Sequence, residues 1–222
     1  MKKIMFSDKF GLTEDVLLGR KTMTRRIAYT KEMKHRVKSN LYNGDRLALY
    51  DGSELVAVSK YRIGEEVAIS QPYKDIIAAI TPSFGSPHAY DSLRNEAGWN
   101  NKMFVRADLM PHRIRITGIK AERLQDISYD DCRYEGIIPV TFRQWHKQDI
   151  DDFSPQRYTD HDVWTLEKFR EGIEDSWAES EPGEFMTTTP QVAFAVLIFK
   201  MMGRRMWYDN PWVFAYTFEL IK

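Results

Sequence analysis

The hydrophobic pattern changes period several times along this chain, and each change marks an element. Leu12, Val16 and Leu17 fall on one side of a helical turn, with Thr13 placed to cap it and Gly19 suited to a left-handed stop. Asn43-Gly44-Asp45 is a turn signal, and Arg46–Tyr50 after it predicts a strand. Asp51-Gly52 then turns the chain into Leu55–Val58, which predicts a hairpin. Gly64 precedes a short strand over Val67–Ser70. Met103–Arg106 has strand chemistry, and so does His112–Ile119, where Ile114 and Ile116 alternate with Arg113, Arg115 and Thr117. Ser128 with Asp131 three positions on predicts a capped short helix that Gly136 closes. Leu166, Phe169, Ile173 and Trp177 recur at helical spacing. Thr189-Pro190 opens an apolar helix over Val192–Met202, and Gly203 ends it. Trp212–Leu220 predicts a closing strand with aromatics at 212, 214, 216 and 218.

Six or so short strands, two short helices and one or two longer ones follow, without βαβ alternation. The expected fold is α+β, a small mixed β-barrel with flanking helices. Proline and glycine between Gln71 and Lys102 predict an irregular excursion, and a second one is expected over about 141–188. Neither is a linker, so one domain over residues 1–222 is expected, carrying two insertions.

Composition narrows the class. The 222 residues are 43% hydrophobic and 29% charged, with zero formal net charge, as in a globular protein with a core and no global field for polyanions. The charge is uneven. Arg20, Lys21, Arg25, Arg26, Lys31, Lys34, Arg36 and Lys38 face one acid, Glu32, whereas acids dominate from Asp126 to Glu184. A single cysteine, Cys132, excludes an internal disulfide and points to a reducing, cytoplasmic setting. The first residues lack the apolar run of a signal peptide, and the longest apolar run is too short to span a bilayer.

Several chemistries lack their residues. No histidine pairs with another His or Cys at metal-ligand spacing, so no metal is expected. No Walker loop or G-x-G-x-x-G occurs, and no cofactor is expected. The zinc deaminase signature is missing. Asp160-His161-Asp162 reads as a solvated loop, since adjacent side chains diverge. Cys132 reads as a small core residue.

One segment carries more chemistry than the rest. Gly19-Arg20-Lys21-Thr22-Met23-Thr24-Arg25-Arg26 sets cations and hydroxyls directly after a helix stop. Such groups are buried only when paired or hydrogen-bonded. The stretch is therefore a solvated turn or the floor of an anionic or nucleotide site.

That segment, the strand ending near Ile119, Leu124-Gln-Asp-Ile-Ser128, Glu135-Gly136 and Asn210-Pro-Trp-Val-Phe-x-Tyr-x-Phe together resemble the ASCH domains. These are PUA-like β-barrels with many bacterial and phage members. The resemblance covers residues 4–70, 102–137 and 190–221. One branch comprises small amidohydrolases acting on N4-acetylcytidine, with a motif close to Gly-Arg-Lys-Thr-x-Thr-x-Arg. Gly19, Arg20, Lys21, Thr22, Thr24 and Arg26 match it. The resemblance implies Lys21 as general base, Thr24 as nucleophile and Glu135 as proton donor. Many ASCH domains carry glutamate at the position of Thr24. The two expected insertions are absent from the small hydrolases.

The chemistry is coherent on its own terms. A threonine hydroxyl attacks an amide carbonyl only if a base takes its proton. A lysine serves as that base when neutral, which burial and neighbouring cations such as Arg20, Arg25 and Arg26 favour. A glutamate can protonate the leaving amine. Three extended residues would send Lys21 and Thr24 to opposite faces, so the chain has to curl after Gly19. The competing expectation is a non-catalytic PUA-like module that binds RNA or a nucleotide through Arg20, Arg25 and Arg26. In both cases the partner is a nucleoside or RNA, with neither membrane nor metal.

Overall fold

The computed structural model describes residues 1–29, 37–77, 92–145, 158–170 and 187–221, with the side chains of 142–145 and 158–161 left aside. The architecture is mixed α+β, with several sheets and few helices. The chain divides into two compact units, and the second is threaded through the first in sequence. One comprises Met1–Thr22, His35–Lys120 and Tyr216–Lys222, the other Met23–Lys34 and Ala121–Ala215.

The first unit contains β1 (Lys2–Ile4), α1 (Leu12–Leu17), β3 (Val37–Tyr42), β4 (Arg46–Asp51), β5 (Glu54–Val58) and β6 (Glu66–Ile69). It also holds most of β7 (Arg113–Arg123) and the later part of β10 (Trp212–Ile221). β1 runs parallel to β6 with Lys2 opposite Val67, and β6 pairs antiparallel with β7. β3, β4 and β5 form an antiparallel meander. Its first turn uses Asn43 and Gly44, both at positive φ, 54° and 79°. With Tyr42 paired to Arg46, Asn43–Asp45 form a three-residue hairpin loop, in which glycine suits the left-handed position. β6 and β7 bury Val67, Ile69, Ile114 and Ile116. Tyr216 packs edge-on to Tyr61 with centroids 5.2 Å apart. Its hydroxyl accepts from the Lys60 amide at 2.9 Å, so the phenol is both buried and satisfied.

A separate cluster of Tyr73, Ile76, Val105 and Met110 lies under the excursion after β6. Met103–Arg106, expected as a strand, forms none. Val105 is buried, but the backbone leads into a 3₁₀ turn at Ala107–Leu109 instead of a ladder. Gly98 is set by close approach, since a Cβ there would stand 2.5 Å from the Tyr73 ring. The ring cannot retreat freely, because its hydroxyl holds the Arg106 amide at 2.8 Å. Gly98→Ala is expected to cost about 1–3 kcal/mol, read as a lowered midpoint in chemical denaturation. An unchanged midpoint would show that the ring yields.

The second unit contains β2 (Met23–Tyr29), α2 (Tyr129–Tyr134), β8 (Ile137–Trp145), β9 (Tyr158–Leu166), α3 (Pro190–Met202), α4 (Arg204–Tyr208) and the start of β10. β2 follows β10 at the end of the strand order. β8 and β9 pair antiparallel from Ile137 opposite Leu166 to Trp145 opposite Tyr158. Ser128 caps α2, accepting from the Asp131 amide at 3.1 Å, and Thr189 caps α3 with Pro190 in its first turn. Both caps were legible in the sequence. Phe194, Leu197 and Ile198 of α3 are buried with Leu124, Ile127, Ile137 and Phe214.

Three further expectations change. Thr13 lies inside α1, and Gly11 occupies the cap position at φ 71°. The Thr13 hydroxyl is engaged by Asp8 and by the Phe6 carbonyl, so it cannot cap. Leu166 ends a strand rather than starting a helix, because pairing with β8 overrides the spacing; Ile173 and Trp177 lie outside the described residues. Asp160-His161-Asp162 lies within β9, not in a loop, and the Asp162 carboxylate accepts from Thr141 at 3.2 Å. Among the described residues no helix is long and apolar enough to cross a membrane.

Candidate functional site

The segment from Gly19 curls before it extends. Gly19 has φ 74°, a conformation that disfavours any side chain. The amides of Arg20 and Lys21 then both donate to the Asp15 carbonyl, at 2.8 and 3.0 Å. The Asp15 carboxylate takes the Arg20 guanidinium at 2.8–2.9 Å. One residue of α1 thus fixes the backbone of Arg20 and Lys21 and ties down the Arg20 side chain. Lys21 is 2% exposed. Burying an ammonium is costly without compensation, so this is no solvated turn. Thr22 re-enters regular structure, its carbonyl accepting from Phe218 at 2.9 Å.

In the second unit, β2 places Met23, Thr24 and Arg25 in buried surroundings. Arg25 gathers three carboxylates. Its Nε donates to Glu122 at 2.8 Å, its Nη2 to Asp131 at 2.7 Å and its Nη1 to Glu135 at 3.0 Å. The guanidinium also approaches Met23 Sδ at 3.4 Å and lies 5.7 Å from the centre of the Phe194 ring. Burial alone would lower its pKa, but Glu135 and then Glu122 outweigh that and hold it above the ordinary arginine value. Arginine suits this position because its planar fork serves several acceptors at once.

α2 explains the arrangement. Asp131 and Glu135 are four residues apart, which puts both carboxylates on one side of a helical turn. Gly136, at φ 98°, then turns the chain into β8. From the sequence, Asp131 is expected only as the capping-box partner of Ser128, and neither it nor Glu122 is expected beside Arg25. The four-residue spacing of Asp131 and Glu135 was the available signal.

The structure therefore places the site residues as follows. Arg25 spends its donors inside its own unit, its side chain 2% exposed. Arg20 is bound to Asp15 and remains partly open to solvent. Arg26 is half-buried. Glu135 is 4% exposed, at the end of α2, with Arg25 as its partner. Thr24 is 5% exposed. Successive side chains leave a strand on opposite faces, so Thr24 and Arg25 diverge from β2.

Cys132 sits beside this cluster, fully buried. Burial pushes its thiol from the usual 9.0 to about 12; Arg25 opposes the shift, while Glu135 and Asp131 add to it. It is no nucleophile at neutral pH. A disulfide reagent is expected to label Cys132 only after unfolding. Rapid labelling of the native protein would refute its placement. The sign of the linkage is also fixed. The folded state keeps this proton longer than the unfolded chain, so stability is intact below pH 9 and falls as the pH rises towards 12. Cys132→Ala is expected to flatten that decline, as seen in unfolding curves between pH 8 and 11.

Among the described residues, no group of three or more His, Cys, Asp or Glu side chains could hold a metal ion. No family model, curated protein or solved structure matches the chain.

Proposed function

We propose that this protein is an amidohydrolase that removes the acyl group from N4-acetylcytidine or a similar N-acylated nucleoside, on a PUA-like barrel of the ASCH kind. The observation that carries the proposal is the burial of Thr24, 5% exposed, within the Gly19–Arg26 motif. The burial of Lys21 and Glu135 supports the same reading. The curl after Gly19 supplies the departure from extended backbone that the lysine role needs.

In the proposed reaction the Thr24 Oγ attacks the acetyl carbonyl as neutral Lys21 takes its proton. The C–N bond then breaks, and the exocyclic amine leaves with a proton delivered by Glu135, which passes on the one that Lys21 took. Water hydrolyses the resulting threonyl ester, releasing acetate and restoring the hydroxyl. Arg25 positions the Glu135 carboxylate. Arg20 and Arg26, both partly open to solvent, are the cations proposed to meet the nucleoside.

The RNA-binding alternative relied on an open basic stretch, and two of its cations, Lys21 and Arg25, are buried. The test is direct. Purified protein is incubated with N4-acetylcytidine and cytidine is followed by chromatography. Release above the uncatalysed rate is expected, and none at high enzyme concentration would end the proposal.

A further inference from the structure

The segment from Lys200 to Asn210 in the second unit serves none of the roles above, yet it is built with care. α3 ends at Gly203, at φ 86°, and α4 begins at once. The turn after α4 carries Asn210 at φ 42°, a conformation uncommon for a residue other than glycine. Neighbouring groups hold that turn. Gln125 Nε2 donates to the Trp207 carbonyl at 2.7 Å, and the Gln125 amide donates to Asn210 Oδ1 at 2.9 Å. Arg123 donates to the Asn210 carbonyl at 3.1 Å and lies 5.0 Å from the centre of the Trp212 ring.

The scaffold presents an aromatic ring to solvent. Phe194 packs on Trp207 with centroids 6.3 Å apart, and Trp207 on Phe199 at 6.2 Å. Phe199 in turn meets Tyr208 at 6.1 Å with the planes tilted by 31°. This row of rings runs from the buried Phe194 to Tyr208, which is 72% exposed. A tyrosine braced from behind and open in front has lost rotamer freedom without gaining burial. Two exposed cations share its helix: Arg204 and Arg205 lie four and three positions before Tyr208. The nearest acid in sequence is Asp209, which meets Arg205 at 3.4 Å; that arginine side chain remains 92% exposed.

We infer that Tyr208, Arg204 and Arg205 form a binding site for single-stranded RNA, with a base stacked on Tyr208 and the flanking phosphates met by the two arginines. Sequence-tolerant single-strand binding combines an aromatic face with cations tracking the backbone. Charge complementarity favours a polyanion here, since the exposed Arg204 and Arg205 share the short helix with Tyr208 and only Asp209 meets one of them. The braced ring favours one that carries bases. This site is independent of the amidohydrolase reading and stands whether or not the protein hydrolyses anything.

The test uses the full chain and a fluorescently labelled mixed-sequence RNA of twelve nucleotides at low salt, read by anisotropy. Tyr208→Ala is expected to weaken binding by about 5- to 150-fold, the range for losing one stacked base, whereas Tyr208→Phe retains it. Replacing Arg204 and Arg205 by alanine together is expected to reduce the slope of log affinity against log salt by about 1.4. Three results would each overturn the inference. One is wild-type binding too weak to detect at 100 µM protein. The second is a Tyr208→Ala variant, folded by circular dichroism, that binds like wild type. The third is a heparin fragment of matched charge that competes as well as unlabelled RNA, which would mark an indifferent polyanion surface.

Discussion

Arg25→Met is expected to lower the unfolding free energy by about 3–5 kcal/mol. Its basis is the asymmetry between making a buried ion cluster and breaking one. Glu122, Asp131 and Glu135 lean on one guanidinium whose side chain is 2% exposed. Methionine fills similar volume against Met23 and Phe194 but leaves three carboxylates without that cation. Arg25→Lys is expected to recover only part of the loss, because an ammonium lacks the planar fork that reaches three acceptors. Adding Glu122→Gln, Asp131→Asn and Glu135→Gln to Arg25→Met should return much of the stability, since the penalty lies in uncompensated charge. Urea unfolding followed by circular dichroism and by tryptophan fluorescence gives the comparison. An Arg25→Met midpoint equal to wild type would contradict the cluster.

The second large effect is on turnover. If the amidohydrolase proposal holds, Thr24→Val removes the nucleophile while preserving its shape. Release of cytidine from N4-acetylcytidine is then expected to fall to background, and Thr24→Ser to retain measurable rate. Lys21→Met is expected to lower kcat by about 10²- to 10⁴-fold, the usual worth of a general base. These substitutions also touch buried positions, so each variant is paired with an unfolding curve. A Thr24→Val protein with wild-type turnover would remove threonine from the mechanism whatever its stability.

Local signals in the sequence served well where one residue type does one job. Ser128, Thr189 and Gly203 bound their helices as their chemistry dictates. The Asn43-Gly44 and Asp51-Gly52 turns gave the meander. β1 and β2 escaped notice for different reasons. β1 has three residues, too few for a period, and exists because β6 offers a parallel partner. β2 spells Met-Thr-Arg-Arg-Ile-Ala-Tyr, whose adjacent arginines look like surface. Only the acids at 122, 131 and 135, about a hundred positions away, make Arg25 a core residue. The aromatic alternation of β10 suggested one buried face, yet Val213 and Ala215 are buried too. Small residues between large ones let a second layer approach, and a periodicity count does not register them.

The interleaving of the two units bears on how the chain acquires its structure during synthesis. The first unit needs residues from Tyr216 onward, and the second needs residues up to Ala215. Neither can therefore be completed before β10 has left the ribosome. Until then Ile114 and Ile116 of β7 and the arginine-bearing strand β2 wait without their last neighbour. A nascent chain stalled before Trp212 should be a substrate for chaperones and proteases even though most of its residues have been made.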